Sequence, residues 1–380
     1  MITRLARIFE RATSSSGDRD LHFDRPLVLF QSDDWGRVGV RDREGWDELR
    51  AAGIGLGESP YDFYSLETAD DLNALADLLK RHSDSIRRNP SMVMNFIMAN
   101  VDFNSGLASC EKEIPLVALS DGLPGRWRRP NLFEAYRRGI EDGVFFPALH
   151  GLTHFCAQAV ARELDAGGER AELIRKICNA ETPYIHWRMP WIGYEYWDRE
   201  MEADLRFLPG DEQRSAIDRA AAIYRTFFGA APFSACAPGY RANSDTHAAW
   251  FDAGVRVAQN GPGERKAPHF DAQGMLHTFR TVEMEPAIAR VDLQRLIRDA
   301  EECFRRGLPA VVSIHSINFH STLRDSRGPT LALLGEFLTA LERKWPTLLY
   351  VHDADLFQIA SEGFYFAEGA RVEVGATTRA

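Results

Sequence analysis

The sequence is poor in cysteine and has no long apolar run. Five cysteines are scattered through the 380 residues, and no two of them form a Cys-x-x-Cys pair. An odd number of scattered cysteines argues against a disulfide framework, so we expect reduced, mostly buried thiols in a reducing compartment. Because no run reaches 18 consecutive apolar residues, the sequence predicts no membrane-spanning helix.

Positive charge is scarcer than negative charge in this chain. It carries 45 lysines and arginines against 55 aspartates and glutamates, which gives a formal net charge of −10 at pH 7. This balance argues against a broad binding surface for nucleic acid or for anionic membranes. The N-terminal segment 1–24 contains arginines but no continuous apolar stretch, so we expect no signal peptide and a cytoplasmic protein.

Strand-like and helix-like segments alternate along almost the whole chain. Such alternation is typical of a parallel sheet covered by helices, that is, of the α/β class. Seven or eight units favour a (β/α)7-type barrel, irregular in places, over an open, doubly wound sheet, which remains the second architecture. We therefore predict one barrel domain over residues 25–362, with an aromatic-rich insertion at about 155–210 and a C-terminal tail at 363–380.

Two adjacent carboxylates, Asp33 and Asp34, follow an apolar run from Pro26 to Phe30 that is typical of a buried strand. Neighbouring carboxylates repel each other, and both are costly to bury without a partner. A metal ion bound by one of them would remove that cost and leave the other free as a base. A helix N-cap or a solvated loop would also accommodate two aspartates.

Three histidines also lie just after predicted strands. His150 and His154 are four residues apart, so both could reach one metal from a helix or a tight turn. Two histidines and a carboxylate are a common catalytic zinc set that leaves one position open to water. His315 follows the apolar run Val311 to Ile314 and is a candidate general acid. Each histidine taken alone is also compatible with a packed core position.

Together these motifs resemble those of the polysaccharide deacetylase superfamily, which is NodB-like and includes carbohydrate esterase family 4. Phe30 to Gly36 resembles the first motif, an apolar strand ending in Asp-Asp. His150 to His154 resembles the second motif, with Gly151 at its serine or threonine position. Val311 to His315 resembles the fifth motif, an apolar strand ending in histidine. The resemblance implies a seven-stranded (β/α) barrel that is often irregular.

The resemblance also implies roles for five residues. Asp34, His150 and His154 would bind a divalent metal, and zinc suits such ligands best. Asp33 would be the general base and His315 the general acid. With metal-bound water as the nucleophile, the implied function is a metal-dependent hydrolase that removes N- or O-acetyl groups from a saccharide. Two other functions stay open, namely hydrolysis of a small non-peptide amide or imide, and a catalytically silent carbohydrate-binding barrel.

The sequence departs from the family pattern at two motifs. The third motif aligns with Cys236 to Tyr240, which places Cys236 where the family has the arginine that steadies the base. Asp33 needs a nearby cation that fixes its orientation and keeps it ionised, so we predict that Arg241 or Arg188 reaches it. The fourth motif, an aspartate before a tryptophan, has no counterpart in the sequence.

The insertion at about 155–210 is unusually rich in aromatic side chains. Sugar rings stack on such side chains, so the insertion could form a substrate platform; a lid held by its own packing would have the same composition. Its aromatic cluster consists of Tyr184, Trp187, Trp191, Tyr194, Tyr196 and Trp197. The candidate substrate-binding residues are Trp35, Arg188, Pro238, Tyr240, Arg241 and Asn318.

Overall fold

The computed structural model describes residues 19–105 and 114–379. The strands are β1 (Asp20–Phe23), β2 (Leu27–Trp35), β3 (Met92–Ile97), β4 (Ala99–Val101), β5 (Leu116–Ala118), β6 (Phe145–Gly151), β7 (Ser234–Cys236), β8 (Val257–Asn260), β9 (His269–Phe270), β10 (Leu276–Phe279), β11 (Val282–Glu283), β12 (Ala310–His315), β13 (Leu349–Tyr350), β14 (Phe364–Ala367), β15 (Ala370–Glu373) and β16 (Ala376–Arg379). The α-helices are α1 (Arg43–Ala51), α2 (Ala69–Leu79), α3 (Leu132–Glu141), α4 (Ala157–Ala166), α5 (Gly168–Asn179), α6 (Gly210–Phe228), α7 (Ser244–Ala253), α8 (Leu293–Arg305), α9 (Arg327–Lys344) and α10 (Asp353–Glu362).

The main sheet has the strand order β11-β12-β2-β3-β6-β7-β8-β10-β9, and β13 adds a parallel pairing at the start of β2. Neighbours along this order are parallel except β10 and β9. Only Arg280 and Thr281 connect β10 to β11. The Arg280 N–H donates to the carbonyl of Asn260 in β8, whereas the Thr281 N–H donates to that of Val311 in β12. These two hydrogen bonds connect the β8 side of the sheet to the β12 side. The predicted (β/α)7-type barrel is therefore confirmed in an irregular form.

Side chains of β2 point alternately into and out of the barrel. The inward ones are apolar at the start of the strand and polar at its end. Leu27 and Leu29 belong to the apolar cluster that fills the lower interior, where α10 also packs. Asp33 continues the same face of the strand towards its carboxyl end. Val28 and Phe30 face the opposite way and pack in the outer cluster formed with the surrounding helices. The buried aspartate is therefore placed at the polar mouth of the barrel.

The insertion has an apolar cluster of its own. Val160 of α4 and Ile174 of α5 pack in it together with Trp191. Trp46 and Leu49 of α1 belong to the same cluster, so the insertion is fixed to the loops around the barrel mouth. The sequence of the insertion predicts one helix, Glu169 to Cys178, which corresponds to α5, whereas α4 is a further helix that the sequence does not predict.

The predicted elements of the barrel are confirmed, but two regions differ from expectation. The sequence of His277 to Met284 predicts one strand, the sixth of the barrel, but the structure divides it into β10 and β11. The segment 363–380, predicted as a tail, contributes β14, β15 and β16, and β16 pairs with β1 near the other end of the chain. Most of the predicted N-terminal segment, residues 1–18, lies outside the described residues. Over the described ranges, no helix is long and apolar enough to cross a membrane.

Among the described cysteines, none forms a disulfide, as the sequence predicts. Cys156, Cys236 and Cys303 are buried, and Cys178 is half-buried. The fifth cysteine, Cys110, lies outside the described residues.

Candidate active site

The carboxyl ends of the barrel strands bring polar side chains from the whole length of the chain to one face. Parallel strands necessarily share this edge, which is why residues far apart in sequence meet there. The side chains at or just after strand ends, or facing the same mouth, are Asp33, Asp34, Asn95, His150, Cys236, Gln259, Arg280 and His315.

A bulge at the end of β2 separates the two aspartates. The pairing of β2 with β3 shifts register between Ser32 and Trp35, and Asp34 has a φ of 75° in the left-handed region. In a regular strand consecutive side chains point to opposite faces. A bulge re-aims one of them, so both carboxylates reach the barrel mouth and each meets different partners.

Asp34 and the two histidines form a candidate metal centre. The Oδ1 atom of Asp34 lies 3.1 Å from Nε2 of His154 and 3.5 Å from Nε2 of His150. This oxygen is buried and has no hydrogen-bond partner among the described residues. The three candidate ligand atoms lie within 4.8 Å of one another, a spacing that fits one tetrahedral divalent ion. The predicted ligands are thus brought together, although His150 belongs to strand β6 and not to a helix.

Hydrogen bonds behind the imidazoles orient both histidines, and the one at His150 also favours the metal-binding tautomer. Nδ1 of His150 lies 2.8 Å from the carbonyl oxygen of Cys236; a carbonyl only accepts, so this nitrogen carries the proton and Nε2 is free. Nδ1 of His154 lies 2.6 Å from the hydroxyl of Tyr184, which accepts a hydrogen bond from Arg37. Such outer partners orient ligating histidines. Burial also lowers the pKa of His154 well below its ordinary value, which keeps the imidazole neutral.

Arg37 balances the charge of the candidate ligand Asp34. Its Nη2 atom lies 3.5 Å from Oδ2 of Asp34, and its guanidinium stacks on the ring of Tyr64 at 3.8 Å. Burial alone would raise the pKa of Asp34, but Arg37 and then His154 hold that pKa well below its ordinary value. The carboxylate is therefore ionised, as a metal ligand must be.

A second group of possible ligands, Asp33, His150 and Cys236, lies equally close together. Burial, and then the charge of Asp33, raise the pKa of the Cys236 thiol well above its ordinary value. A neutral thiol is a poor metal ligand. Asp33 is also occupied by other partners, so the set with Asp34 and His154 fits a metal better.

The cation beside Asp33 is Arg280. Its Nη2 atom donates to Oδ1 of Asp33 at 2.6 Å, and Nδ2 of Asn95 donates to the same oxygen at 2.7 Å. The other oxygen, Oδ2, lies 3.8 Å from Nε2 of His315. Burial alone would raise the pKa of Asp33, but Arg280 and then His150 and His315 hold it below its ordinary value. Oδ1 is therefore fixed, while Oδ2 faces His315 and the Cys236 thiol, whose Sγ lies 3.9 Å away.

The prediction that Arg241 or Arg188 reaches Asp33 is wrong. Arg188 lies in the insertion beside Asp62 at 3.5 Å, and Arg241 is exposed with its guanidinium 4.8 Å from the ring of Trp197. Arg280 comes from the seam between β10 and β11. A charged residue directly after a strand was the available signal, but reading His277 to Met284 as one strand hid it.

The small side chain at position 236 leaves room for this arginine. Nη2 of Arg280 lies 3.7 Å from Sγ of Cys236 and 3.3 Å from Oε1 of Gln259. Oε1 of Gln259 also accepts from Asn95, while its amide donates to the buried Asp353 at 2.7 Å. The guanidinium therefore occupies the neighbourhood of Cys236 although it comes from the connection between β10 and β11.

His315 is held by Glu285, a residue that no motif in the sequence singles out. Nδ1 of His315 donates to Oε1 of Glu285 at 2.6 Å. Although burial alone would lower the pKa of His315, Glu285 and then Asp33 raise it to about 9. The imidazole is therefore protonated at neutral pH, as a general acid requires, and its Nε2–H faces Asp33.

Two predicted substrate contacts are wrong because their side chains are committed elsewhere. Trp35 is fully buried; its Nε1 donates to Ser32, and its ring stacks on Phe319. Asn318 is also fully buried, and it donates to Glu285 at 2.6 Å while accepting from a backbone N–H. Its role is to hold the partner of His315.

Of the other predicted contacts, Pro238 is buried and Tyr240 is half-buried. The ring of Tyr240 lies against Gly261, where a Cβ atom would come within 2.5 Å of it. The guanidinium of Arg280 lies 5.3 Å from this ring. Substrate contact by Tyr240, and by the exposed Arg241, stays a prediction.

The insertion has features of both a packed lid and a platform. Tyr184, which binds His154, is buried, as are Trp191 and Tyr196. Trp187 is 36% exposed, and Tyr194 and Trp197 are half-buried. The buried members fix the insertion beside the metal ligands, while the others leave aromatic surface at the mouth.

We compared the chain with known proteins. No protein-family profile and no curated protein matches it. Several solved structures are similar to it. A putative polysaccharide deacetylase from Mycobacterium smegmatis aligns over 90% of this chain and 93% of its own, at 11% identity and a TM-score of 0.45.

Two further solved structures are also similar to this chain. A mutant, with restored activity, of a carbohydrate esterase family 4 pseudoenzyme from Bacillus anthracis aligns over 88% of this chain and 68% of its own, at 12% identity and a TM-score of 0.39. A family 4 acetyl xylan esterase from Clostridium thermocellum, in complex with cobalt, covers 88% and 91% at 10% identity, with a TM-score of 0.37.

Proposed function

We propose that the chain is a metal-dependent hydrolase that removes N- or O-acetyl groups from a saccharide. The observation that carries this proposal is the unpartnered Oδ1 atom of Asp34 facing the Nε2 atoms of His150 and His154. Two further groups stand beside it, an ionised Asp33 and a protonated His315. Metal-dependent hydrolysis of an acyl bond needs metal ligands, a general base and a general acid. Here all three lie at the same mouth of the barrel.

Bound by Asp34, His150 and His154, a divalent ion such as zinc would polarise an acyl oxygen and lower the pKa of a nearby water. The chain's own residues carry out the proton transfers. Asp33 accepts the proton of the attacking water at Oδ2, because Oδ1 is held by Arg280 and Asn95. 

His315 then donates its Nε2 proton to the departing amine or alcohol. Glu285, bonded to Nδ1, keeps the imidazole positively charged until that transfer. Oδ2 of Asp33 and Nε2 of His315 are 3.8 Å apart, so oxygen or nitrogen atoms of one tetrahedral centre beside this pair would be within reach of both groups.

The alternative of a catalytically silent carbohydrate-binding barrel depended on the loss of the arginine that would orient the base, Asp33. Arg280 now supplies that charge from another strand, which removes the reason for preferring a silent barrel. Hydrolysis of a small amide or imide would use the same groups, and a substrate screen separates it from deacetylation.

The metal assignment is tested on protein purified without chelator. We expect about one divalent ion per chain, as for a single catalytic site, and loss of that ion in the double variant H150A/H154A. The variant H22A/H82A is a control, because His22 bonds to the carbonyl of Arg306 and His82 to Glu342, and neither contacts a candidate ligand. Retention of the ion in H150A/H154A would place the metal elsewhere.

The catalytic assignment is tested by acetate release from acetylated mono- and oligosaccharides. The variant Asp33→Asn should keep its metal and lose turnover by about 10²–10⁴-fold, the usual contribution of a general base. Unchanged turnover in Asp33→Asn would exclude Asp33 as the base.

A further inference from the structure

Each carboxylate at the centre of the site already has a cation of its own. The pairs are Asp33 with Arg280 at 2.6 Å, Asp34 with Arg37 at 3.5 Å and Glu285 with His315 at 2.6 Å. These six charges cancel, and a bound divalent ion would add two positive charges. Any further cation at the mouth is therefore in excess of what the site's own acids need.

Three arginines lie at the rim, and the exposed acids Glu202 and Asp204 of the same segment reduce their excess to one positive charge. The guanidinium carbons of Arg206 and Arg241 lie 5.4 and 4.8 Å from the ring centre of Trp197. Arg199, two residues after that tryptophan, is exposed, as is Arg241. Within the described part of the chain, no carboxylate oxygen lies within 4.0 Å of these three guanidinium groups.

Tyr194 connects this rim to the metal ligands. Its ring centre lies 5.8 Å from that of His154 and 6.2 Å from that of Trp197. Although burial raises the pKa of Tyr194, the positive charges of Arg241 and Arg199 oppose this rise. Both guanidiniums are thus close enough to act on a hydroxyl that borders the site.

This local excess contrasts with the net charge of −10 for the whole chain. A small positive area on an acidic protein attracts anions to one place and repels them elsewhere. Guanidinium groups also match the two oxygens of carboxylates and phosphates. The arginines therefore fit an anionic ligand better than a neutral one.

We propose that the substrate carries an anionic group, a carboxylate or a phosphate, which Arg199 and Arg241 bind while its acetyl group lies at the metal ligands. The substrate class is then an acetylated saccharide that also carries a carboxylate or a phosphate. This inference rests on the proposed deacetylase function for the position of the acetyl group.

The test measures binding to the metal-loaded full chain by calorimetry. The probes are neutral N-acetylglucosamine, N-acetylglucosamine 1-phosphate and N-acetylmuramic acid, which carries a carboxylate. We expect at least one anionic probe to bind more tightly than the neutral sugar, with an affinity that falls as salt rises. The probe that binds more tightly identifies phosphate or carboxylate as the anion.

The double variant R199Q/R241Q should weaken binding of the preferred anionic probe about tenfold more than binding of the neutral sugar, as two exposed charge pairs would. A matched control is R225Q/R343Q, which removes the same charge from exposed positions at the ends of α6 and α9. Equal losses for charged and neutral probes, an equal loss in the control, or no binding of either anionic probe would overturn the inference.

The same experiment separates this inference from the proposed function. Acetate release from the neutral sugar without any anion preference would overturn the anion subsite alone. Anion preference that depends on Arg199 and Arg241, without acetate release from any probe, would support the subsite and contradict the deacetylase.

Discussion

Asp33 and Asp34 are neighbours in the chain, yet the surroundings of Asp33 suit a base and those of Asp34 suit a metal ligand. Oδ1 of Asp33 accepts hydrogen bonds from Arg280 and Asn95, so that carboxylate is anchored with its second oxygen towards the site. Oδ1 of Asp34 accepts none within the described ranges and lies between two imidazoles. An anchored, ionised carboxylate suits proton transfer, whereas an unpartnered buried oxygen suits a metal.

Arg280 controls the charge of the base, so Arg280→Met should move the acidic limb of the kcat/KM profile to higher pH. The guanidinium lowers the pKa of Asp33; without it the carboxylate is protonated at a higher pH and loses its function as a base. The measurement is the pH dependence of kcat/KM for acetate release, which reports the base in the free enzyme.

Two kinds of variant control this prediction. Arg241→Met and Arg188→Met should leave the acidic limb in place, because neither arginine contacts Asp33. Arg280→Lys keeps a positive charge and should shift the limb less than Arg280→Met. An unchanged limb in Arg280→Met, with the fold retained by circular dichroism, would contradict the role of Arg280.

Glu285 controls the opposite limb of the profile. Its charge raises the pKa of His315 to about 9 against the effect of burial, so the general acid loses its proton only near that pH. Glu285→Gln should lower this pKa and move the basic limb of kcat/KM down, towards the ordinary histidine value of about 6.5. The exposed Glu283 of β11 is a matched control, and an equal shift in Glu283→Gln would exclude a specific effect.

At the scale of elements, the ends of strands were predictable and the seam of the barrel was not. Asp33, His150 and His315 each follow a long apolar run, and a polar residue there is visible in sequence. Residues that favour strands, Thr278, Phe279, Thr281 and Val282, run through the segment His277 to Met284 as in one strand, but Arg280 and Thr281 cross from one side of the sheet to the other. This crossing aims Arg280 into the site, and it depends on long-range closure that local periodicity does not encode.

The insertion supports the metal site as well as covering it. Oε1 of Glu195 accepts hydrogen bonds from the backbone N–H groups of Leu152 and Thr153, between the two histidine ligands. A Cβ atom at Gly151 would lie 2.0 Å from Oε2 of Glu195. This contact explains in physical terms why glycine occupies the position where the similar family has serine or threonine.

Removing this support should weaken metal binding. Glu195→Ala leaves two buried N–H groups without an acceptor and frees the loop that carries His154, so we expect metal affinity to fall about 10–100-fold, as for other outer-shell partners. Burial raises the pKa of Glu195 to about 8, so the side chain is largely neutral at pH 7. Glu195→Gln keeps one acceptor oxygen and should lose much less.

Competition with a fluorescent chelator measures both affinities. Equal losses in Glu195→Ala and Glu195→Gln would mean that the side chain acts through its charge and not as a hydrogen-bond acceptor for the loop.

At the scale of the whole molecule, the two ends of the chain close the lower barrel together. β16 pairs with β1 over four residues, and the hairpin of β14 and β15 precedes it. Tyr365 and Val374 are fully buried in the lower interior cluster, beside Leu27 of β2. The segment predicted as a tail therefore contributes to the core that supports the catalytic strand from below.

Replacing Tyr365 should destabilise the whole protein, whereas replacing its neighbour Phe366 should not. Tyr365 is 0% exposed and Phe366 is 45% exposed, so only the first substitution leaves a cavity in the core. Tyr365→Ala should lower the free energy of unfolding by about 3–5 kcal/mol, as other large-to-small aromatic changes do, and Phe366→Ala by less than about 1 kcal/mol. Urea unfolding followed by fluorescence measures both values. Equal values for the two variants would mean that residues 363–379 do not form part of the cooperative core.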